Sequence, residues 1–516
     1  MGAMEFPMNG SGRRPARAFA VALLSACAAC TLLVDRNSVQ CRSDSDCAKF
    51  GSHPYCQSGV CVASGLEPSN CFYGTPAQPE DFLNQCSTAQ CQAFDNCSRL
   101  GVCGGDFTDP LLMPPAPDKI ATNGSAPTDA GTPSLPRCVD PASGRSQVVY
   151  ITGSSNFPPL LAELAPLVLA NGYTPVFQVT NSCTGVKAVY SSQPNDQIIM
   201  DPAPGSSAKN ATYFNADGSA VPCTLGRDGA KVDIGESDIF STTCGFDAPG
   251  GTVGEYLGPV QAMTFVVPGK SGQTAITAEA ARAVFGMGGN NGMAMPWTNP
   301  QLYFVRNSNT GTQQMIGRAI GVPANAFWGV DRNTAANVDA QMRVIADQSS
   351  ADQAIGIISA DFYDADRANL KALAFKATGQ GCAYLADSTE FKKDKRNIRD
   401  GHYPIWGPVH FFTNITNGVP SAAAQAFVSV VSVPNIPKQL LDAFIASSLV
   451  PDCAMKVQRT SELGALSVYL PPFGCGCYFD ASVNGSPPSD CAPCKTANDC
   501  ANPARPACNL GYCETQ

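Results

Sequence analysis

The chain has 516 residues, enough for two or three domains, and 44% of them are hydrophobic while 15% are charged. Its net charge of −9 is not offset by any basic block, which excludes nucleic acid as a partner. The 24 cysteines and three histidines favour disulfides over metal sites, so we expect no metal and no cofactor.

The N-terminus has the pattern of an export signal. Arg13, Arg14 and Arg17 precede an apolar run, Ala18–Ala26, that is too short to span a bilayer. The run ends in Leu24-Ser25-Ala26-Cys27, which resembles the lipobox of bacterial lipoproteins, where Cys27 would be diacylated. An ordinary secretory signal cleaved nearby is the alternative. We expect a signal peptide at 1–26, a lipid anchor and tether at 27–40, and a location in the bacterial cell envelope, facing the periplasm or on the outer-membrane surface.

A cysteine pattern occurs near both ends of the chain. Cys41-x5-Cys47-x8-Cys56-x4-Cys61 recurs as Cys494-x5-Cys500-x7-Cys508-x4-Cys513. Each copy is too short to bury a core, so cross-links must hold it together. We assign 41–108 to Cys-rich modules and 488–516 to a C-terminal Cys-rich module. The stretch 109–146, rich in Pro, Ala and Thr, is assigned to a linker.

The number of cysteines in each region predicts one long-range bridge. With Cys27 set aside and Cys30 left unpaired, ten cysteines lie from Cys41 to Cys138, seven from Cys183 to Cys477 and five from Cys491 onward. If the first ten pair among themselves, the other two sets are odd. One bridge should then join the central region to the C-terminal module.

From Gln147 onward, strand patterns alternate with helix patterns. The strand Val148–Thr152, the helix Pro158–Ala170 and the strand Thr174–Thr180 form a βαβ unit, which predicts a parallel sheet. Other predicted strands are Ala262–Val267, Ala354–Ser359, Phe412–Asn414 and Val428–Val433, and other predicted helices are Thr277–Phe285, Thr334–Ala346 and Pro437–Ser447.

Three β-type runs break into small polar residues and then enter a helical pattern. The polar junctions are 152–156, 236–238 and 307–312. A helix N-terminus leaves N–H groups unpaired and carries partial positive charge, so such junctions suit anions. Arg306, just before the third junction, adds a planar fork of donors. Taken singly, the first two could be helix caps or turns and Arg306 a surface ion-pair partner, but together they predict an anion-binding protein.

In order and spacing these segments resemble the phosphate-binding proteins of ABC transporters. The resemblance runs from about Val148 to Phe412, and loosely to Leu470. It rests mainly on Ile151–Pro158, Ser182–Lys187, Asp233–Asp238 and Arg306–Thr312. It implies an α/β, two-lobed type II periplasmic-binding-protein fold at 147–480, with parallel or mixed sheets and a hinge, flanked by small disulfide-rich modules. Lobe 1 would cover about 147–258 and 408–480, and lobe 2 about 259–407.

The resemblance also implies a set of ligand groups. Thr152, Gly153, Ser154 and Ser155 would donate N–H and hydroxyl bonds, and Ser182 would add a hydroxyl donor. Asp238 would accept a hydrogen bond from the protonated anion. Four residues would clamp the anion from the other lobe: Arg306, Thr310, Gly311 and Thr312. Because an ionised Asp238 can only accept, it favours hydrogen phosphate over sulfate. The family's second acidic residue, two positions after the Arg, is Ser308 here, and the second family loop carries an unusual Cys183.

We therefore expect a monomeric lipoprotein that binds inorganic phosphate or a related oxyanion for an ABC permease. We expect no enzyme and no catalytic residue, because the chain has few histidines and no Gly-x-Ser-x-Gly elbow. The alternative is a cell-surface interaction or scaffold lipoprotein that retains the fold without transport.

Overall fold

The computed structural model describes residues 46, 55–57, 60–62, 71–72, 74–101 and 135–515, apart from 205, 207, 289–293, 346 and 434–435. The chain divides into two compact units, Met1–Gly74 and Thr75–Gln516. The predicted signal peptide, Cys27 and most of the predicted linker lie outside the described residues.

The described elements are mostly short. The strands are β1 Tyr55–Gln57, β2 Val60–Val62, β3 Cys91–Gln92, β4 Val148–Gly153, β5 Thr174–Val179, β6 Ile198–Ile199, β7 Ala211–Phe214, β8 Ala220–Cys223, β9 Ala230–Lys231, β10 Ile234–Ser237, β11 Val253–Pro268, β12 Ala275–Thr277, β13 Tyr303–Val305, β14 Val330–Asp331, β15 Ile355–Ser359, β16 Leu370–Ala372, β17 Ala374–Lys376, β18 Ala383–Tyr384, β19 Trp406–Thr416, β20 Val419–Pro420, β21 Val457–Gln458, β22 Ser467–Val468, β23 Ala507–Asn509 and β24 Tyr512–Glu514. The α-helices are α1 Pro79–Asn84, α2 Asn96–Leu100, α3 Pro158–Ala170, α4 Ser182–Tyr190, α5 Ala278–Met287, α6 Gly311–Ile320, α7 Ala335–Arg343, α8 Gln348–Gln353, α9 Ala360–Ala365, α10 Arg396–Asp400, α11 Ala422–Val431, α12 Lys438–Ala446 and α13 Gly476–Asn484. Within the described ranges, no helix combines the length and the apolar character that a membrane crossing needs.

The two copies of the cysteine pattern contain the same hairpin. In the first unit, β1 pairs antiparallel with β2 and places Cys56 opposite Cys61. In the second unit, β23 pairs antiparallel with β24 and places Cys508 opposite Cys513. Disulfides Cys494–Cys508 and Cys500–Cys513 cross-link this second copy. The shared spacing therefore corresponds to one small structural motif used twice.

The second unit is built on a mixed sheet with the strand order β14-β13-β15-β11-β19-β10-β4-β5-β7-β8. Strands β4 and β5 run parallel along their whole length and β10 is parallel to β4, so the predicted βαβ unit is confirmed. Antiparallel neighbours flank this parallel centre, since β19 pairs with β10 and β7 pairs with β5. The sheet is therefore mixed.

Two long strands connect the halves of this sheet. The first part of β11 pairs with β19, and its last part pairs with β15 and β16. A separate apolar core lies in each half. One is built around Leu160, Phe177 and Phe427, and the other around Phe265, Phe285 and the fully buried Trp297. The predicted α/β fold of two lobes is confirmed.

Disulfides tie outlying segments to the lobes. Cys477–Cys491 joins the central region to the C-terminal module, as the cysteine count predicts. The premise that the first ten cysteines pair among themselves is wrong, because Cys91 bonds Cys382 and Cys138 bonds Cys223. Strand β3 also pairs with β18, so part of the segment predicted as a Cys-rich module belongs to the second unit.

Three local predictions are wrong. The apolar run Val428–Val433, predicted as a strand, lies mainly in α11, where Ser421 caps the helix and Ala424, Phe427, Val428 and Val431 are buried at helical spacing. The segment Ser182–Lys187, predicted as a loop, is helical because the Asn181 side chain caps α4. The helical pattern expected after Asp238 is only a short 3-10 helix, Ser241–Cys244.

Candidate anion site

Two helix N-termini meet across the lobes. Helix α4 begins at Ser182 and helix α6 begins at Gly311, whose N–H donates to Ser182 Oγ over 3.1 Å. Beside this contact, the Cys183 N–H donates to the Asn309 carbonyl over 3.2 Å. Because both helix ends carry partial positive charge, their approach is favourable only if negative charge lies between them.

Asp238 supplies that negative charge. Its Oδ2 accepts hydrogen bonds from the Ser154 hydroxyl at 2.6 Å, the Asn156 amide at 3.1 Å and the Ser182 hydroxyl at 3.3 Å. The side chain is 1% exposed, and its Oδ1 has no partner among the described residues. We call Ser154, Asn156, Ser182, Asp238 and Arg306 the anion cluster. The donors of Ser154, Asn156 and Ser182 converge on one buried oxygen, Asp238 Oδ2, as the donors for a bound oxyanion would.

Glu236 is a second acid in the same place. Its Oε2 accepts from the Ser154 backbone N–H at 2.6 Å, and the residue is fully buried. Gly153 permits this approach, because a Cβ there would collide with the Glu236 carboxyl and carbonyl groups. Burial, and then the nearby charge of Asp238, raise the pKa of Glu236 well above its ordinary value. The Glu236 carboxyl is therefore protonated more readily than an exposed glutamate.

Arg306 is the cation of the cluster and is 1% exposed. Its Nη2 donates to Ser155 Oγ at 2.9 Å and its Nη1 to Thr312 Oγ1 at 3.4 Å. Its Nε donates to the Asn333 carbonyl at 3.1 Å. Burial lowers the pKa of Arg306 to about 10, against the opposing effect of Asp238, so the guanidinium stays charged at neutral pH.

The surrounding acids determine the local charge. Burial raises the pKa of Asp238 in spite of its hydrogen bonds to Ser154 and its attraction to Arg306. Burial raises the pKa of Asp361 to about 6, and the charge of Asp238 adds to this effect. The site thus combines the Arg306 cation with three buried acids, Glu236, Asp238 and Asp361, whose pKa values are all raised.

The lobes are in direct contact at this point. A Cβ placed on Gly311 would lie 2.6 Å from the Asp238 Cβ and 2.7 Å from Ser182 Oγ. Real Cβ atoms do not approach other atoms so closely, so glycine is needed for this contact. The cluster is therefore closed, with Asp238 in contact with the groups that an anion would use.

Seven of the ten predicted anion-binding residues gather here: Ser154, Ser155, Ser182, Asp238, Arg306, Gly311 and Thr312. The hydroxyls of the other two side-chain candidates are engaged elsewhere. Thr152 Oγ1 donates to the Gln178 carbonyl at 2.9 Å, and Thr310 Oγ1 donates to the Asn307 carbonyl at 2.7 Å while capping α6. Gly153 has no side chain to offer, and its role is to let Glu236 come close to the backbone.

The sequence-based set missed Asn156, Glu236 and Asp361. Asn156 and Glu236 lie inside the segments that carry the resemblance. Their position there and their polar side chains could have identified them as site residues. Asp361 follows β15, far along the chain, and had no local signal. Cys183 is explained by its disulfide to Cys244. Ser308, at the position of the family's second acid, accepts at its carbonyl from Gln314.

Comparisons with solved structures return phosphate-binding proteins. The chain is similar to an ABC-type phosphate transport receptor from Vibrio cholerae, with 14% identity, a TM-score of 0.37, and coverage of 58% of this chain and 99% of that one. It is also similar to a human phosphate-binding apolipoprotein, with 14% identity, a TM-score of 0.38, and coverage of 59% and 90%. A phosphate-binding protein from Stenotrophomonas maltophilia gives 14% identity, a TM-score of 0.36, and coverage of 59% and 91%. No family model and no curated protein matches the chain. At these TM-scores the likeness carries no argument about ligand or activity, which must rest on the site.

Proposed function

We propose that the second unit binds an inorganic oxyanion at the anion cluster and that phosphate is its preferred ligand. The observation that supports this is the convergence of the Ser154, Asn156 and Ser182 donors on one buried carboxylate oxygen. That oxygen lies between two helix N-termini. Donors arranged for one anionic oxygen suit another anionic oxygen, provided the lobes separate and Asp238 moves aside.

A proton on the anion would be an advantage. Hydrogen phosphate can donate a hydrogen bond to Asp238 and accept hydrogen bonds from the hydroxyls, whereas sulfate has no proton with which to donate. The site would therefore prefer hydrogen phosphate, which we propose is passed to an ABC permease.

Truncation of Arg306 tests the oxyanion proposal. Arg306→Ala should weaken phosphate binding, since an unpaired buried charge costs roughly 2–5 kcal/mol. At about 1.4 kcal/mol for each tenfold change in affinity, the loss is about 30-fold to several-thousand-fold. Arg227→Ala, which removes an exposed arginine, is the matched control. Calorimetric titration of the oxidised protein with phosphate, sulfate and arsenate is the measurement. Equal phosphate affinity for Arg306→Ala and the control would contradict the proposal.

The membrane attachment is a separate proposal. We propose that Cys27 carries lipid, on the basis of the Leu24-Ser25-Ala26-Cys27 run after the arginine-bearing leader. Cys27→Ser should release the protein from the membrane fraction, while Cys30→Ser should leave it there. Membrane fractionation of both variants decides the point, and an unchanged distribution of Cys27→Ser would reject lipidation at this residue.

A second candidate is a cell-surface interaction lipoprotein that keeps the fold without binding an anion. The observation that favours it is that Asp238 and Glu236 already satisfy the donors of Ser154 and Ser182 in the closed site. If the wild-type protein binds none of the three anions at millimolar concentration, this second function replaces the first.

A further inference from the structure

A cavity lies beside strands β11 and β19, away from the anion cluster. Its volume is about 320 Å³, within the range of small-molecule sites. We call it the back cavity and define it by the lining residues Trp406, Val431, Phe444, Met455, Val457 and Phe473. These side chains are aromatic or aliphatic, so the wall favours an apolar ligand body.

The back cavity and the anion cluster lie on opposite faces of β19. Trp406 and Pro408 line the cavity, while Gly407 between them faces the other way, as successive strand residues do. A Cβ on Gly407 would lie 3.7 Å from the Asp238 carbonyl oxygen. A ligand in the back cavity would therefore be separate from an anion at Asp238.

One cation forms part of the cavity wall. Arg459 is 9% exposed and stacks on the Trp406 ring, with 4.1 Å from its guanidinium carbon to the ring centre. In the described part of the chain its only hydrogen-bond acceptor is the Pro404 carbonyl, 3.0 Å from Nη1, although a guanidinium carries five N–H donors. Its Nε is buried with no partner there. A buried cation with so few acceptors would be stabilised by an anionic group beside it.

The neighbouring acids only partly balance this charge. Burial raises the pKa of Glu462 to about 7, against the attraction of Arg459, so this acid is partly neutral at neutral pH. Asp452 also lines the cavity, accepts a hydrogen bond from the Tyr469 hydroxyl, and has a pKa raised by burial. Burial lowers the pKa of Arg459 to about 10, so Arg459 keeps its charge.

We propose that the back cavity binds a small amphipathic carboxylate, with its apolar body among the aromatic and aliphatic side chains and its carboxylate on the Arg459 guanidinium. This site is independent of oxyanion binding at Asp238. Its ligand class follows from two features: an apolar wall of ligand-sized volume and one buried guanidinium short of acceptors.

Octanoate and its neutral analogue octanamide are the probes. Calorimetry on the whole oxidised protein should show saturable octanoate binding, with octanamide at least about tenfold weaker, a difference of about 1.4 kcal/mol. Arg459→Met should remove the preference for octanoate while leaving octanamide binding in place. Arg227→Met, which removes an exposed charge that does not line the back cavity, should change neither affinity.

Two further variants keep the proposal testable if Arg459→Met does not fold. Ser432 lines the cavity and is exposed, so Ser432→Trp should obstruct it and weaken both probes about tenfold or more. Arg306→Ala should leave octanoate binding unchanged, which separates the back cavity from the anion cluster. Equal binding of octanoate and octanamide, no saturable binding of octanoate, or loss of octanoate binding in Arg306→Ala would overturn the proposal.

Discussion

At the residue scale, Glu236 links the anion cluster to pH. Its carboxyl accepts the Ser154 N–H in a fully buried position, and its pKa is raised by burial and by Asp238. A folded pKa above the unfolded value means that the folded state binds more protons between the two values. Stability therefore falls as pH rises through this interval, and the loss is complete above the folded pKa.

Glu236→Gln should remove this pH dependence. An amide of the same shape can still accept from Ser154 but does not ionise, so the variant should gain thermal stability relative to wild type as pH rises from about 5 to about 8. Thermal unfolding of both proteins across that interval is the measurement. Glu279→Gln, a change at a surface-accessible acid of α5, serves as the control. A constant difference between wild type and Glu236→Gln at every pH would show that the pKa of Glu236 is not raised in the folded protein.

At the element scale, the helix Pro158–Ala170 and the parallel strand pair were predictable, because they depend on local signals. Pro158–Ala170 has the predicted bounds, and β4 pairs with β5 as the βαβ pattern indicates. The run Val428–Val433 was misread because β-branched residues favour strands, while its helical spacing depends on packing against the lobe core.

The site was only partly predictable for a related reason. Ser154, Ser182, Asp238 and Arg306 each stand at an element boundary with a recognisable motif. Asp361 reaches the same region only because β15 pairs with β11 and β13. Such a neighbour depends on tertiary pairing and leaves no sign in the local sequence.

The start of α6 carries the contact between the lobes, and Gly311 is the residue that permits it. Gly311→Ala should force Asp238 or Ser182 to shift and destabilise the closed state by roughly 1–3 kcal/mol, as overpacking does. Gly272→Ala is the matched control, because its Cβ would meet only Asp352 at 3.5 Å. Chemical denaturation of both variants measures the effect. If the two alanines have equal effects, the lobes do not close on Gly311 in solution.

At the scale of the whole molecule, the C-terminal module of the second unit is fixed by polar contacts as well as by covalent bonds. The Cys477 N–H donates to Glu514 Oε1 at 2.6 Å, and Asn509 donates to the Gly474 carbonyl at 3.0 Å. Arg505 pairs with Asp490 at 2.5 Å and with Glu514 at 3.5 Å. Internal disulfides hold the module's shape, while Cys477–Cys491 sets its attachment to α13.

Removing that attachment should loosen the module while leaving the lobes intact, because neither Cys477 nor Cys491 belongs to the two lobe cores. A Cys477→Ser/Cys491→Ser variant should lose roughly 2–5 kcal/mol of local stability. At about 1.4 kcal/mol for each tenfold change in the population of the open form, proteolysis near the module should accelerate by about 30-fold or more. The unfolding temperature of the lobes should change little. Limited proteolysis followed by mass spectrometry identifies where cleavage occurs.

The Cys494→Ser/Cys508→Ser variant provides the contrast, since it should expose sites inside the module without loosening α13. If the first variant is as resistant as wild type, the contacts of Glu514 with Cys477 and of Asn509 with Gly474 hold the module without the disulfide.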